Sequence, residues 1–555
     1  MSATPHPNPP PQEGRENMSN PPPQGESISN LPPLWGRESI SNPPPQGGRE
    51  SNPEAESVST ARRVARNSVS PLLAQLLTKA IDTVYGLLVL HIIWAGLNGD
   101  YAFAVSIWLY ASTITNWGLD VLLIRDVARD TAQANRYFSN TMLLRVGLSL
   151  LTILLLALLL IPNPSLLLGS QLDNAPYIIA ATLLLAVSLL PGSLAAACTA
   201  VFQANERMTV PALVTIITAA VKFVVGLGAL GLVWLANSYQ PSPLMLIVLG
   251  ATPVLINSVT AAILLVWMRR ALLRPHLEFE RRFAFGLLLV ALPLLLNSLL
   301  QNLFFKVDYQ ILRAEYPSEV LGRYDAAYKF INFFPLITAN LTFAIFPLLS
   351  RYAADARNGL LRAYTLTLKL LLLIAMPAVA ATLLLSGPII WLFAGDKYLP
   401  DAAAALQILI LFLPFSFFNG LTQYVLIALN RQRLITVAFV LVAAFNIVAN
   451  LILIPMFSLY AASWVTVASE LVLLVPLYLW TRTELSAMPN LFALAWRPTL
   501  AAALGAAGVW ATLALGLPAL AAAAVMALLY VALLFVLRTF SVEELALARQ
   551  VLRRK

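Results

Sequence analysis

The sequence predicts an all-α integral membrane protein of about 14 transmembrane helices. They form two parallel six-helix lobes related by a pseudo-two-fold axis, followed by two extra C-terminal helices. Three observations predict this. The 555 residues are 59% hydrophobic and only 11% charged, against roughly 25% charged in a soluble globular chain. Apolar runs of about 18 residues or more, long enough to cross a bilayer, recur along most of the chain. The basic residues crowd into alternate connections, as expected of a chain threaded back and forth.

Residues 1–66 stand apart. "NPPPQ" recurs at 8–12, 20–24 and 42–46, and "GRE" at 14–16, 36–38 and 48–50. Sequence rich in Pro, Ser and Gly cannot bury a core, so this tail is expected to be disordered. It lacks the pattern of a signal peptide and reads as inert, or as lying upstream of the true start.

The expected spans are 71–95, 101–124, 139–161, 176–201, 210–235, 244–267, 285–311, 324–348, 364–385, 402–428, 434–454, 460–481, 496–516 and 518–537. Residues 67–283 form the first lobe (spans 1–6) and 284–483 the second (spans 7–12). Residues 484–540 carry spans 13 and 14. The last segment, 541–555, reads as an amphipathic helix on the cytoplasmic surface.

With the N-terminus inside, inside connections carry 24 of the 36 Lys and Arg residues and outside connections carry three, Arg313, Arg323 and Lys397. Both termini are therefore expected in the cytoplasm, with the chain in the inner membrane. The net charge of +9 follows from this topology and does not indicate nucleic-acid binding. The one cysteine, Cys198, permits no internal disulfide, and three scattered histidines are too few for a metal site. No Gly-Lys pair exists, which excludes a P-loop ATPase.

Six basic residues lie within spans: Lys79, Arg145, Lys222, Lys306, Lys329 and Lys369. Five of the chain's seven lysines are among them. Arg145 and Lys369, near helix ends, are expected to snorkel. Lys79, Lys222, Lys306 and Lys329 are not so placed, and a charge at mid-bilayer costs ~2.5–3.5 kcal/mol on insertion scales unless it meets a partner or water. Lys79 and Asp82 lie three apart on span 1, and Asp325 and Lys329 four apart on span 8, spacings that allow ion pairs. On span 7, Asn297, Gln301 and Asp308 fall within about 40° of one another, with Asn302 and Lys306 roughly 140–180° away. One set faces a path and the other a neighbouring helix; the sequence does not say which.

The halves echo each other. "LNGDYAFAVSIW" (97–108) resembles "VLGRYDAAYKFI" (320–331), pairing Tyr101 with Tyr324 at an offset of 223. "QANERM" resembles "ALNRQR", pairing Asn205 with Asn430, and Asp82 pairs with Asp308. Six spans per repeat keep both halves in one orientation, with a transport site between them.

"KVDYQILRAEYPSEVLGRYDAAYKFINFFPLITANLTFAIFPLLSRYAAD" (306–355) is similar to the signature region of prokaryotic polysaccharide flippases. The pattern is Asp-x-x-x-Leu, then Gly-x-Tyr-x-x-Ala-Tyr, then Phe-Pro-x-x-Ser-Arg. "GLDVLLIRDVARD" (118–130) and "ALNRQRLITVAFVLVAAFNIVANLILIP" (428–455) resemble other parts of that family, in the multidrug/oligosaccharidyl-lipid/polysaccharide (MOP) exporter superfamily. The resemblance implies that two lobes alternate access and carry a polyprenyl-diphosphate-linked oligosaccharide to the outer leaflet for cell-surface polysaccharide. It also implies that spans 1, 2, 7 and 8 line the cavity.

On that reading Lys79, Lys222, Lys306 and Lys329, with Asn297 and Gln301, contact diphosphate or glycan. Asp82, Asp308, Asp325 and Glu470 balance charge or bind a coupling ion, H+ or Na+; no other cofactor is expected. A membrane lipid environment, a monomer, and a polysaccharide polymerase or glycosyltransferase as partner are expected. An alternative is an ion-coupled multidrug exporter, although five span lysines suit cationic drugs poorly. A membrane glycosyltransferase or glycan ligase would need outside loops with clustered acids or histidines. The longest such loops hold only Asp173, Asp396, Lys397 and Asp401 as charged residues.

Overall fold

The computed structural model describes residues 53–165 and 173–540. The expected amphipathic tail 541–555 and residues 1–52 of the expected disordered tail lie outside the described residues. The chain divides into two compact units, Met1–Thr60 and Ala61–Lys555; the architecture below belongs to the second, apart from residues 53–60 of the first helix.

All the described secondary structure is helical. The first lobe contains α1 (Pro53–Ile92), α2 (Ala95–Asn116), α3 (Leu119–Arg129), α4 (Ala134–Leu160), α5 (Ala175–Val187), α6 (Leu189–Ala204), α7 (Thr209–Ala236) and α8 (Leu244–Ala271). The second contains α9 (Arg281–Glu315), α10 (Ser318–Ile331), α11 (Pro335–Asp355), α12 (Arg357–Ala394), α13 (Asp401–Leu409), α14 (Leu413–Ala428) and α15 (Gln432–Leu485). Then come α16 (Leu491–Ala514) and α17 (Ala519–Val536). α1 begins at Pro53, earlier than the expected end of the tail at 66. The reason is local: residues 54–70 contain neither Pro nor Gly, and Pro is welcome in a first helical turn.

Twelve of the described helical segments are long and apolar enough to cross a membrane, and the bent pair Ser318–Thr342 with Ala344–Ala354, its break inside α11, makes a thirteenth. α15 is two helices joined at Ser458, whose φ of 57° and ψ of −142° break the run between the expected spans 434–454 and 460–481. The fourteen expected crossings are thereby accounted for, and the chain is a multi-pass membrane protein. Leucines such as Leu150, Leu154 and Leu158 on α4 point outward, as a lipid-facing surface requires.

Several spans are broken in mid-course. Between α2 and α3, Trp117 and Gly118 both take positive φ, and a Cβ on Gly118 would meet Leu294 Cβ of α9 at 2.7 Å. The Trp117 indole donates to the Leu288 carbonyl at 3.0 Å, tying the break to α9.

Within the first lobe α8 packs on α5, α6 and α7; within the second α15 packs on α9 and α14. α16 and α17 pack on each other, and α16 lies against α12. The lobes meet where α2 lies along α10 and α9. A Cβ on Gly99 would lie 1.8 Å from the Ser318 carbonyl oxygen, and one on Gly322 would lie 1.8 Å from the Ala95 carbonyl oxygen. Ala95 and Ser318, like Gly99 and Gly322, are 223 residues apart, the offset that pairs Tyr101 with Tyr324. Reciprocal contact of equivalent residues is what a two-fold axis imposes, so the internal symmetry axis passes through this contact.

The segment joining the lobes, 272–280, is strapped to the first turns of α4. The His276, Glu278 and Glu280 amides donate to Asn135 Oδ1 (3.0 Å), Ser139 Oγ (2.7 Å) and Asn140 Oδ1 (2.9 Å). Arg136 adds a bidentate pair to Glu280 at 2.8 and 2.7 Å.

Candidate functional site

The seam between the lobes is polar. From the start of α2, Asn98 reaches across with its amide nitrogen, donating to the Gly322 carbonyl at 2.9 Å and to Asp325 Oδ2 at 3.2 Å. Lys329 Nζ donates to Asn98 Oδ1 at 2.8 Å and pairs with Asp325 at 2.7 Å. The expected i,i+4 pair thus exists, with a first-lobe amide inserted into it. One residue pair on, Asp100 accepts from the Ser318 hydroxyl and from Asn174 (3.2 Å) and lies 3.5 Å from the Arg313 guanidinium. Further along, Gln310 donates to Ser106 Oγ at 2.7 Å and Asn302 to Thr113 Oγ1 at 2.5 Å.

A hydrogen bond that can be exchanged for water contributes only ~0.5–1.5 kcal/mol net. The neutral bonds of the seam are therefore individually modest, and those to Asp325, Lys329 and Asp100 are stronger.

Span 7 resolves its two faces. Lys306 shares the α2-facing side with Asn302, and its ammonium lies over the rings of Tyr309 (3.5 Å) and Tyr328 (4.9 Å). Among the described residues it has no carboxylate within ion-pair distance. Asp308 turns the other way, into the second lobe, where it is 4% exposed and accepts from the Tyr324 hydroxyl at 2.5 Å. Tyr309 in turn donates to Asp325 at 3.0 Å. The three tyrosines touch ring to ring at 5.4–6.0 Å between centroids, so cation and anions are spaced by phenols.

Lys79 is exposed on α1, and Asp82 does not pair with it. Asp82 pairs instead with Lys222 of α7, which also lies 5.2 Å from the Tyr85 ring. The physical reason is competition: Lys222 reaches Asp82 from a facing helix, whereas Lys79 points away. Gln301 and Glu470 come together on a cavity of 230 Å³ inside the second lobe. Glu470 is 4% exposed and accepts from Asn419 Nδ2 at 2.7 Å. Asn297 is half-buried on α9 with no hydrogen bond among the described residues. Asn446 donates to Ser469, and Asn450 to Asn446, each at 2.9 Å.

Two charges differ from expectation. Arg145 does not snorkel: its side chain is 1% exposed and held by Asp120 (2.5 Å) and Asn116 (3.0 Å). Arg313, counted with an outside connection, lies in the last turn of α9 and is 2% exposed. Sequence reading missed Asn98, Asp100, Arg313 and Ser318 as a group because their partners lie in the opposite lobe. The polar run Asn98-Gly99-Asp100 opening an apolar span was the signal available.

Two helical lobes packed across a polar seam, with about fourteen crossings, are the architecture of a multi-pass membrane transporter. The sequence profile described as "Polysaccharide biosynthesis protein" matches residues 64–353, more than half of the chain, and the profile "MatE" matches residues 293–470. The chain belongs to the polysaccharide biosynthesis protein family.

Among solved structures, the fold is similar to the lipid II flippase MurJ in an inward closed conformation, with 15% identity and a TM-score of 0.69 over 84% of this chain and 98% of that one. It is also similar to an inward-facing multidrug resistance MATE transporter, with 15% identity and a TM-score of 0.59 over 74% and 94%. An outward-facing MATE transporter matches at 15% identity and a TM-score of 0.50 over 76% and 96%. No curated protein sequence matches the chain.

Proposed function

We propose that this protein carries a polyprenyl-diphosphate-linked oligosaccharide from the cytoplasmic to the outer leaflet, by opening and closing its two lobes along the α2–α10 seam. The observation that carries the reading is Lys306. Its charge rests on tyrosine faces with no carboxylate partner among the described residues, so it is free to meet a diphosphate. A diphosphate taken from water needs several charge-assisted donors. Lys79, exposed on α1, is the second uncommitted cation; Lys222 and Lys329 are already paired to Asp82 and Asp325 and would exchange partners during transport. Asn297 and Gln301 are proposed as glycan contacts.

On the sidedness given by the basic residues, both termini are cytoplasmic and the closed seam is the outer gate. The better match to inward-facing than to outward-facing relatives supports that assignment. Glu470, buried against Asn419, is the proposed site of a coupling ion, H+ or Na+, with Asp308 structural. A polymerase or glycosyltransferase taking the product at the outer surface is the proposed partner of a monomeric transporter.

The test is mass spectrometry of lipids retained by protein purified gently from its native membrane. A polyprenyl-diphosphate glycan held by the wild type and lost in Lys79→Ala/Lys306→Ala supports the reading and names the cargo. Retention of that lipid by the double variant would overturn the lysine assignments. A second reading, an ion-coupled multidrug exporter, is favoured by the MatE match over 293–470; efflux of a cationic dye with no retained glycolipid would establish it instead.

A further inference from the structure

A second cavity lies at the end of the seam where α2 and α10 begin, separate from the lysine path. It has a volume of 580 Å³ and is lined by Trp94, Asn174 and Gln240 of the first lobe and by Glu319, Arg323 and Lys397 of the second. That size is within the ~300–1,000 Å³ of small-molecule sites, and a few polar groups on mostly apolar walls are the usual composition.

Its charged groups are held in place by contacts of their own. Tyr398, 1% exposed, donates across the seam to the Ile93 carbonyl at 3.0 Å. That bond sets the neighbouring Lys397 over the face of Trp94 at 3.4 Å. Arg323 is held by Asp401 at 2.6 Å, and Asp401 also accepts from Tyr460 at 2.9 Å. Lys397 and Glu319 have no ion-pair partner among the described residues. One free cation and one free carboxylate therefore face the same space. Trp94 stays 41% exposed beside them.

This chemistry selects its ligand. An indole face stacks on the C–H face of a pyranose ring, and amides with a carboxylate meet hydroxyls as donors and acceptors. The single uncommitted cation meets one carboxylate, and a second sugar's carboxylate is left in solvent, whereas a phosphate dianion would concentrate both charges between Lys397 and Glu319. We propose that the cavity binds a carboxylated saccharide, one or two sugars of a uronic-acid glycan. This rests on the transport reading only for the source of the sugar. Because each lobe supplies part of the wall, an occupant binds the closed seam better than the open one and shifts the protein toward closure.

The test uses the full chain in lipid nanodiscs, with digalacturonate as probe and maltose as neutral control, and titration calorimetry as readout. Digalacturonate is expected to bind at least tenfold more tightly than maltose. Lys397→Gln and Trp94→Leu should each weaken it tenfold or more, and Lys397→Arg should retain it. Both positions face solvent, and gel filtration of each variant checks folding. In Cys198→Ala/Ser106→Cys/Gln310→Cys protein, with copper-phenanthroline as the oxidant, digalacturonate should raise the rate of disulfide formation across the seam.

Equal binding of the two sugars, or digalacturonate binding untouched by both Lys397→Gln and Trp94→Leu, overturns the site. A cross-linking rate unchanged at saturating digalacturonate overturns the coupling to closure. The outcome is separable from the transport reading: binding in a protein that retains no glycolipid leaves the site standing and removes the flippase, and the converse removes only the site.

Discussion

Gly99 of α2 and Gly322 of α10 each stand where the other's side chain would have to be. A Cβ on either would lie 2.9 Å from the other's backbone nitrogen and 1.8 Å from a carbonyl oxygen of the opposite helix. Backbone cannot rotate aside as a side chain can, so the two helices meet at the closest distance available to them.

Gly99→Ala or Gly322→Ala is therefore expected to hold the seam apart. Overpacking costs ~1–3 kcal/mol, which shifts the closed-to-open ratio by roughly 5–150-fold. Cross-linking between Ser106→Cys and Gln310→Cys should slow by that factor while the thermal midpoint of each lobe changes little. An unchanged cross-linking rate would show that the glycines do not set the approach.

Lys306→Gln should abolish most lipid retention, about tenfold or more, with little effect on stability. The ammonium rests on rings and breaks no ion pair when removed. Lys306→Arg should restore part of the binding, because a guanidinium also stacks on tyrosine and donates to phosphate. Loss of folding in Lys306→Gln would instead mark the lysine as structural.

Asp82 and Lys222 are 36% and 25% exposed in their side chains, and where that face lines a watery path their coupling is that of a solvated pair. A double-mutant cycle on thermal stability is expected to give ~0.2–1 kcal/mol. Transport should respond more strongly: the reversal Asp82→Lys/Lys222→Asp is expected to work better than either single reversal. A reversal no better than the singles would separate the pair from function.

Arg145 and Asp120 form an asymmetric pair, 1% against 27% exposed. Removing the acid strands a buried guanidinium, whereas removing the arginine leaves a carboxylate that water can reach. Asp120→Ala is expected to cost ~3–5 kcal/mol, and Arg145→Met clearly less, by thermal unfolding in detergent. The opposite ranking would mean that Arg145 finds another acceptor.

The strap between lobes should be acid-labile. The Arg136 guanidinium beside Glu280 holds its carboxyl below the usual carboxylate range. A depressed acid contributes its stability fully above the unfolded value of 4.5, and that contribution is lost as pH falls through the lower folded value. Hydrogen-exchange protection factors at His276, Glu278 and Glu280 should hold from pH 7 to about 4.5 and decline below it. Glu280→Gln should show no such decline.

Much of this was legible in the sequence, for reasons that differ by residue. The spans were legible because hydrocarbon thickness fixes their length, and Asp325–Lys329 because helix geometry puts residues four apart on one face. The opposed faces of span 7 were legible as a conflict, but which face met α2 was not. Lys222–Asp82 was hidden because its partners are 140 residues apart in sequence. Arg313 read as a loop charge because Asp100, its partner, belongs to the other lobe. The Gly99–Gly322 approach left a trace only as the offset of 223, which predicted a duplication and not a contact.

The strapped joining segment turns α9 into a lever. With 272–280 fastened along α4, the second lobe has almost no slack chain at that end, and the start of α9 at Arg281 becomes a fulcrum. The 35 residues of α9 reach about 52 Å at 1.5 Å each, so a tilt of about 10° there sweeps the far end through about 9 Å. A tilt of that size would carry Asn302 and Gln310 of α9 beyond hydrogen-bond reach of Thr113 and Ser106 on α2.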